Sequence, residues 1–389
     1  METGLIITNM ISNGSVSNLE ILNGGLEFRT DNYYIKYKGL NKFSEDHLFI
    51  EDKRYFVVLD GVILNKKELL SDSSTNSWKE CFCELIKDGI ETGVNQLRGS
   101  FRGAVIDFDS DKIKIFTNQT GEKTIYYFIQ EGKFIAASHA VILIKAMKCL
   151  GLSYSPDISA LHELLCIGEI LSDKSPIQEI KRLTAGKMLE INKKNIEIHS
   201  YHRFKNYPEF TGDIDECIDL LDTKYRDAIE RIFSKNLEYG YISECDLSGG
   251  LDSRMVAWVA NDLGFKNIIN ISYCQSKSID HKVSKKLASD LGNEYIFIPL
   301  DGGSFLMEIE DTCRKFGGQE TYTICTGAVQ AIEKIKDKNV GIMAMGLWGE
   351  ALKAELCGGG GETHMPGKCY YTLFKCNSIS VSRKYISTI

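Results

Sequence analysis

The alternation of apolar and polar positions changes character once along this chain, near residue 205. Before that point the apolar residues come in short β-branched or aromatic runs: Leu5-Ile6-Ile7, Tyr33 to Tyr37, Tyr55 to Leu59, Gly103 to Phe108 and Lys112 to Phe116. Each is bounded by Gly, Asn or Asp, as strands are. Asp109-Ser110-Asp111 between the last two predicts a hairpin turn. A predominantly β region with a few helices is expected. After Tyr201 to Pro208, which has the composition of a connector, Ile214, Ile218, Leu221, Tyr225, Ala228 and Ile232 recur at helical spacing, with Asp213 placed as the N-cap. A strand is then expected at about 241–247, a Ser-Gly-Gly turn, and a helix from Asp252 or Ser253 to Leu263, stopped by Gly264. The same alternation gives a strand at 267–273, a helix at about 280–291 stopped by Gly292, and strands at 295–298 and 340–345. Strands and helices alternating at this interval predict a parallel, doubly wound sheet. No internal repeat is present.

The pattern therefore divides the 389 residues into a first domain at 1–205, a second at 206–356 and a tail at 357–389. The tail opens with the glycine run Gly358 to Gly361 and shows neither periodicity, so weak order is expected there. A truncated or frame-shifted end would explain that loss of pattern. Resequencing that returns an intact longer frame is the check.

Bulk composition narrows the classes. The net charge of −7 offers no electrostatic footprint for nucleic acid or an anionic membrane. The start, Met1-Glu2-Thr3-Gly4, lacks the basic segment of a signal peptide, and the apolar stretch from Phe134 to Leu152 is broken by His139, Lys145 and Lys148. The twelve cysteines include no Cys-x-x-Cys pair, and most stand singly in apolar patterns. A reduced, cytoplasmic protein is expected.

The chemistry concentrates in Ser248-Gly249-Gly250-Leu251-Asp252-Ser253, between the predicted strand and the amphipathic helix. Glycines there let the backbone approach an anion, and a helix N-terminus adds partial positive charge. Ser248 and Ser253 can donate to phosphate oxygens. Asp252 makes sense beside an anion as a ligand of Mg²⁺. A plain serine-capped turn is the bland alternative, which the full six-residue context outweighs.

Those six residues resemble the PP-loop of the N-type ATP pyrophosphatases. The first domain narrows the resemblance. Leu97 to Asp107, Thr120-Gly121-Glu122-Lys123-Thr124-Ile125-Tyr126-Tyr127, Phe134 to Ser138 and Ile180 to Gly186 resemble, in order, segments of the class II glutamine amidotransferase domain of asparagine synthetases. Asp280, Ser284, Ala288 and Leu291 resemble the helix after the second synthetase strand, with His281 where Glu is typical. The resemblance runs over about residues 1–350. It implies an α+β Ntn-hydrolase-like domain followed by an α/β doubly wound sheet of the PP-loop ATP pyrophosphatase type. It implies ATP and Mg²⁺ as cofactors, with ATP or pyrophosphate held by Leu247, Ser248, Gly249, Gly250, Asp252, Ser253 and Ser272. The metal ligands it implies are Asp252 and Glu350.

The departures are as informative. The family's nucleophilic cysteine after the initiator Met is Glu2 here, and its oxyanion-stabilising Asn-Gly is Asp60-Gly61. A carboxylate cannot act as the thiolate, and an ionised Asp would repel an oxyanion. The second metal loop aligns near Gly346 to Glu350, where only Glu350 is acidic. The expected reaction is carboxylate adenylation followed by attack of ammonia or an amine, without a glutaminase. An inactive nucleotide- or partner-binding relative and a lactam-forming cyclase are the alternatives. tRNA modification is disfavoured by the acidic charge and unpaired cysteines. The expected partners are a small carboxylate and an amine, with no nucleic acid and no membrane; a homodimer is left open. Gly361 to Cys369 imitates a Walker A loop with one residue too many, the histidines share no metal spacing, and Arg254 is as readily a surface arginine as a phosphate ligand.

Overall fold

The computed structural model describes residues 3–10, 21–192, 195–205, 210–307, 309–315, 317–319 and 322–346. The chain divides into two compact units, one formed by residues 1–157 and 171–210, the other by 158–170 and 211–389.

In the first unit the elements run β1 (Gly4–Thr8), β2 (Leu26–Arg29), β3 (Tyr34–Lys38), β4 (Leu48–Glu51), β5 (Tyr55–Ile63), α1 (Lys66–Asp72), α2 (Trp78–Ile86), α3 (Ile90–Gln96), β6 (Gly99–Asp107), β7 (Lys112–Thr117), β8 (Ile125–Gln130), β9 (Lys133–Ala137), α4 (Ala140–Cys149), β10 (Lys181–Leu183), β11 (Lys187–Ile191) and β12 (Ile196–Ser200). They build two six-stranded sheets, ordered β10-β8-β9-β1-β3-β2 and β12-β11-β7-β6-β5-β4. Leu5, Ile7, Ile35 and Phe134 of the first sheet pack against Phe56, Val58, Ile106 and Ile115 of the second. The outer face of the first sheet is covered by Ile142, Leu143 and Met147 of α4. The outer face of the second is covered by Trp78, Phe82 and Ile86 of α2 with Ile90 and Val94 of α3.

The result is a four-layer α-β-β-α stack. With both faces covered, β5 is buried at almost every position, which is why its sequence reads as a continuous apolar run and not as an alternation. Residues 109–111 lie in the turn between β6 and β7, as the sequence predicts, with Asp111 at φ +50°.

The second unit contains α5 (Ile158–Ile167), α6 (Ile214–Glu238), β13 (Ile242–Asp246), α7 (Leu251–Asp262), β14 (Ile268–Cys274), α8 (Ile279–Leu291), β15 (Glu294–Pro299), α9 (Ile309–Lys315), α10 (Tyr322–Ile335) and β16 (Val340–Ala344). α6 opens with a full capping box. The Asp213 carboxylate accepts the Glu216 N–H at 2.9 Å, and the Glu216 side chain accepts the Asp213 N–H. The four strands are parallel, in the order β15-β14-β13-β16. Cys245 and Leu247 face α6, α7 and α8, where Phe233, Val256, Ala257 and Ala288 close the core. On the opposite face Ile269, Ile271 and Val340 meet Ala331 and Ile335 of α10. The sheet is thus wound on both faces. β14 and β15 extend to one side of β13 and β16 returns to the other, so the order reverses at β13.

α8 begins at Ile279 with Ser278 as its cap, and Gly292 ends it at φ +70°. Cys81, Cys83, Cys149, Cys166, Cys217, Cys245, Cys274 and Cys313 are free thiols, and among the described residues no helix is long and apolar enough to cross a membrane. The tail at 357–389, the Walker-like stretch within it, Glu2 and Glu350 lie outside the described residues.

Candidate functional site

Two places carry the residues singled out from the sequence, one in each unit. In the first unit Asp60 sits in the middle of β5, directly opposite Arg102 on β6. Asp60 is buried, and its carboxylate accepts from Arg102 Nε at 3.0 Å and from the Tyr37 hydroxyl at 3.2 Å, with Lys123 Nζ 4.0 Å away. Arg102 donates its Nη1 to the carbonyls of Thr124 (3.1 Å) and Ser138 (3.0 Å). The Ser138 hydroxyl in turn accepts the Leu5 N–H at the start of β1 and lies 2.9 Å from His139 Nδ1.

Burial alone would raise the Asp60 carboxyl. Arg102, Lys123 and His47 outweigh it and hold the group below the usual carboxylate range. Burial pushes Lys123 and His47 down, each partly restored by Asp60. Gly61, at φ +139°, has no room for a side chain, because a Cβ there would stand 2.1 Å from the Ser100 carbonyl oxygen. Asp60 is thus an ionised group neutralised by its surroundings. Arg102, present in the quoted Leu97 to Asp107 segment, is the residue the sequence reading passed over; only the β5–β6 register pairs it with Asp60.

In the second unit β13 runs straight into the loop Leu247–Gly250, and α7 starts at Leu251 with Gly250 as its cap. Leu247 is buried and tied to β14 through its N–H on the Ile271 carbonyl at 2.8 Å. The Ser248 N–H donates to Ser253 Oγ at 3.0 Å, and the two hydroxyls lie 2.9 Å apart. The Gly250 N–H donates to Ser248 Oγ (3.1 Å), and the Gly249 N–H to Asp280 Oδ1 (2.7 Å). Arg254 folds back so that its guanidinium donates to the carbonyls of Gly249 (2.9 Å) and Gly250 (3.0 Å). That fixes the loop and puts the arginine on its carbonyl side.

Both loop glycines and a third, Gly346, are close-contact positions. A Cβ on Gly249 would meet Asp280 Oδ1 at 2.7 Å, and one on Gly346, just beyond β16, would meet the Ser253 nitrogen at 2.4 Å. The carboxyl ends of β13 and β16 therefore bring Gly346 against the first turn of α7. The strand order reverses there, which is where open α/β sheets bind ligands.

Ser248, Gly249, Gly250, Asp252 and Ser253 stand together at this loop. The Ser272 hydroxyl instead accepts from Ser284 of α8 at 3.2 Å. Asp280, known from the sequence only as part of a helix pattern, is a site residue by position. Its carboxylate accepts a loop N–H as a phosphate oxygen would. The donors present, the Asp252 and Asp280 carboxylates with two hydroxyls, are hard oxygen groups of the kind that suit Mg²⁺ shared with a phosphate. A separate trio, Glu91, Glu190 and His199, has metal-like spacing, but Lys114 bridges both glutamates and Lys112 also holds Glu190, which supplies the compensating charge without an ion.

Comparison with known proteins bears on the first unit. Residues 38–202, under half of the chain, match the family described as "Glutamine amidotransferase domain". That part of the chain is amidotransferase-like in sequence, and it supplies β4 to β12 and α1 to α4 of the four-layer stack described above. No curated protein matches the chain. Three solved structures show slight likeness. The allosteric regulatory enzyme of purine biosynthesis has a TM-score of 0.33 at 10% identity, covering 76% of this chain and 74% of that one. Glutamine phosphoribosylpyrophosphate amidotransferase from B. subtilis, complexed with ADP and GMP, has a TM-score of 0.30 at 12% identity, covering 76% and 59%. NH3-dependent NAD synthetase from Campylobacter jejuni has a TM-score of 0.24 at 19% identity, covering 30% and 53%. The chain thus spans less than two thirds of the last two.

Proposed function

We propose that this protein is an ATP-dependent, amide-forming carbon–nitrogen ligase of the asparagine synthetase type. Its second unit is read as a PP-loop domain, its first as a glutamine amidotransferase-like domain without glutaminase activity. The observation that carries this reading is the β13–α7 loop: two glycines, two facing hydroxyls and Asp252 at the N-terminus of a twelve-residue helix, closed from the side by Gly346. Ser248, Gly249, Gly250 and Ser253 would hold the pyrophosphate of ATP, and Asp252, with Glu350 from beyond the described residues, the Mg²⁺ that offsets its charge. A substrate carboxylate oxygen attacks the α-phosphorus and pyrophosphate leaves. Ammonia or an amine then attacks the acyl carbon, and AMP leaves with the new amide formed. A cytoplasmic setting supplies the ATP and keeps the thiols reduced.

The first domain is read as lacking glutaminase because Asp60, whose negative charge is already committed to Arg102, stands at the family's oxyanion-stabilising position. Incubation with glutamine should release no glutamate.

One observation favours a second reading, nucleotide binding without turnover. The Gly249 N–H, a donor a phosphate would need, is taken by Asp280. ATP–pyrophosphate exchange with Mg²⁺ across a panel of carboxylates, aspartate first, separates the two. Exchange that requires one carboxylate and vanishes in Asp252→Ala supports the ligase. ATP binding with no exchange on any carboxylate supports the second reading.

A further inference from the structure

The N–H groups of Ser248, Gly249 and Gly250 are all engaged, but not alike. Those of Ser248 and Gly250 donate to Ser253 Oγ and Ser248 Oγ, hydroxyls of the same six-residue segment. A hydroxyl can turn to make room for a phosphate oxygen and still bond to it. The Gly249 N–H donates at 2.7 Å to Asp280 Oδ1, a carboxylate brought from 31 residues further on by the first turn of α8. A Cβ on Gly249 would stand 2.7 Å from that oxygen and 3.3 Å from Asp280 Cα. The room that glycine leaves at position 249 is therefore taken up by the start of α8.

That start is fixed independently of the loop. Ser278 caps α8 by accepting the His281 N–H at 3.2 Å, and the Ser276 N–H donates to the Asp301 carboxylate at 3.2 Å. The His281 and Phe297 rings lie with centroids 3.8 Å apart. Asp280 can thus leave Gly249 by rotating its side chain alone, with the helix in place. While it stays, it sets a half-buried anion where an oxygen of pyrophosphate would accept the same N–H. Two anions compete for that donor, and away from bulk water their repulsion is poorly screened. A metal-bound pyrophosphate differs, because its charge is offset and a carboxylate is a favourable neighbour for the cation.

We infer that Asp280 is a charge gate on the loop. It stands in for a phosphate oxygen at Gly249, opposes entry of metal-free polyphosphate, and swings away for the Mg²⁺-bound form. The inference rests on the reading of the loop as a pyrophosphate site and deepens it, naming the form of polyphosphate that the site admits. Asp252 belongs to the loop and is read as a metal ligand, whereas Asp280 comes from another element and governs which ligand enters.

The test is calorimetric titration of the full chain with sodium pyrophosphate, once in EDTA and once in excess Mg²⁺, for the wild type, Asp280→Asn and Asp280→Ala. Asparagine keeps an oxygen that can accept the Gly249 N–H but carries no charge. In EDTA both variants should bind pyrophosphate about tenfold tighter or more than the wild type, as removal of a competing charge-assisted hydrogen bond would allow. In Mg²⁺ that advantage should shrink. A carboxylate that only orders the loop predicts a different pattern: Asp280→Asn binds as the wild type does and Asp280→Ala binds more weakly in both conditions. That pattern overturns the inference, and so does an advantage of equal size with and without Mg²⁺. Thermal unfolding of the same preparations checks the fold, and Asp280→Asn, which preserves size and acceptor, carries the test if Asp280→Ala misfolds. Wild-type binding of Mg-pyrophosphate that persists through such a failure leaves the loop reading standing; absence of binding in all three proteins sinks both.

Discussion

Each unit buries an acid on an interior strand, and the two are treated in opposite ways. Asp60 on β5 faces a guanidinium supplied in register by β6, a phenol from β3 and a nearby lysine, and its carboxyl is held low. Glu244 on β13 faces isoleucine and methionine in register, has only the carboxyl of Asp246 beside it, and is pushed high. A buried charge with its counter-charge built into the neighbouring strand is a strut, because every group in it is already satisfied. A buried acid without a counter-charge keeps its proton, shared here with a second acid. Asp60 is thereby held as a charge, whereas Glu244 is held as an acid.

The contrast can be broken most forcefully at Arg102. Arg102→Ala strips the strut and leaves Asp60 buried with incomplete compensation, so urea unfolding should show a loss of about 3–5 kcal/mol. A loss below about 1 kcal/mol would mean that Asp60 is solvated in a way its burial denies. In the second unit, Gly346→Ala forces a Cβ against the Ser253 backbone. It should cost about 1–3 kcal/mol as an overpacked contact and weaken Mg-ATP binding with it. Unchanged binding would show that the β16 edge does not shape the loop.

Glu244→Gln sharpens the comparison with the opposite sign. Its stability should depend less on pH than that of the wild type, because the acid that burial raises is gone. The pH dependences must also oppose each other. Asp60 lies below its ordinary 3.8 when folded, so its contribution is present above 3.8 and is lost as pH falls through the lowered value. Glu244 lies above its ordinary 4.5, so the folded state holds the proton more tightly. Stability then falls as pH rises from 4.5 to the raised value and stays lower beyond it. Glu244→Gln should remove that fall, which unfolding titrations across pH 4 to 9 would reveal; an identical slope in both proteins would contradict it. The smallest effect is expected at Asp213→Ala, where loss of the α6 cap should cost about 1 kcal/mol in the same assay.

What was legible in the sequence is what local pattern controls. The Ser-Gly-Gly turn, followed by a helix that Gly264 stops, marks the loop and α7 without help from the rest of the chain. Asp213 announces its own cap three residues before Glu216. The four-layer stack of the first unit was not legible from local pattern, only implied by the resemblance, because β1 pairs with β9 and β11 with β7 across long stretches of chain. α5 and α10 also went unread. For the site, Arg102 and Asp280 were missed for one reason: each acts across a strand register or a crossover, at Asp60 and Gly249 respectively, while Gly346 was placed in the second metal loop without its contact to Ser253. A buried pair such as Asp60 with Arg102 reads in one sequence as two unrelated charges.

The central claim is that the loop at Ser248–Ser253 holds the pyrophosphate of ATP. Calorimetric titration of the full chain with Mg-pyrophosphate tests it most directly, with Ser253→Ala and Asp252→Asn alongside. Saturable binding that is weakened about tenfold or more in each variant is the expected result. Absence of binding in the wild type, or binding that neither variant disturbs, would contradict it.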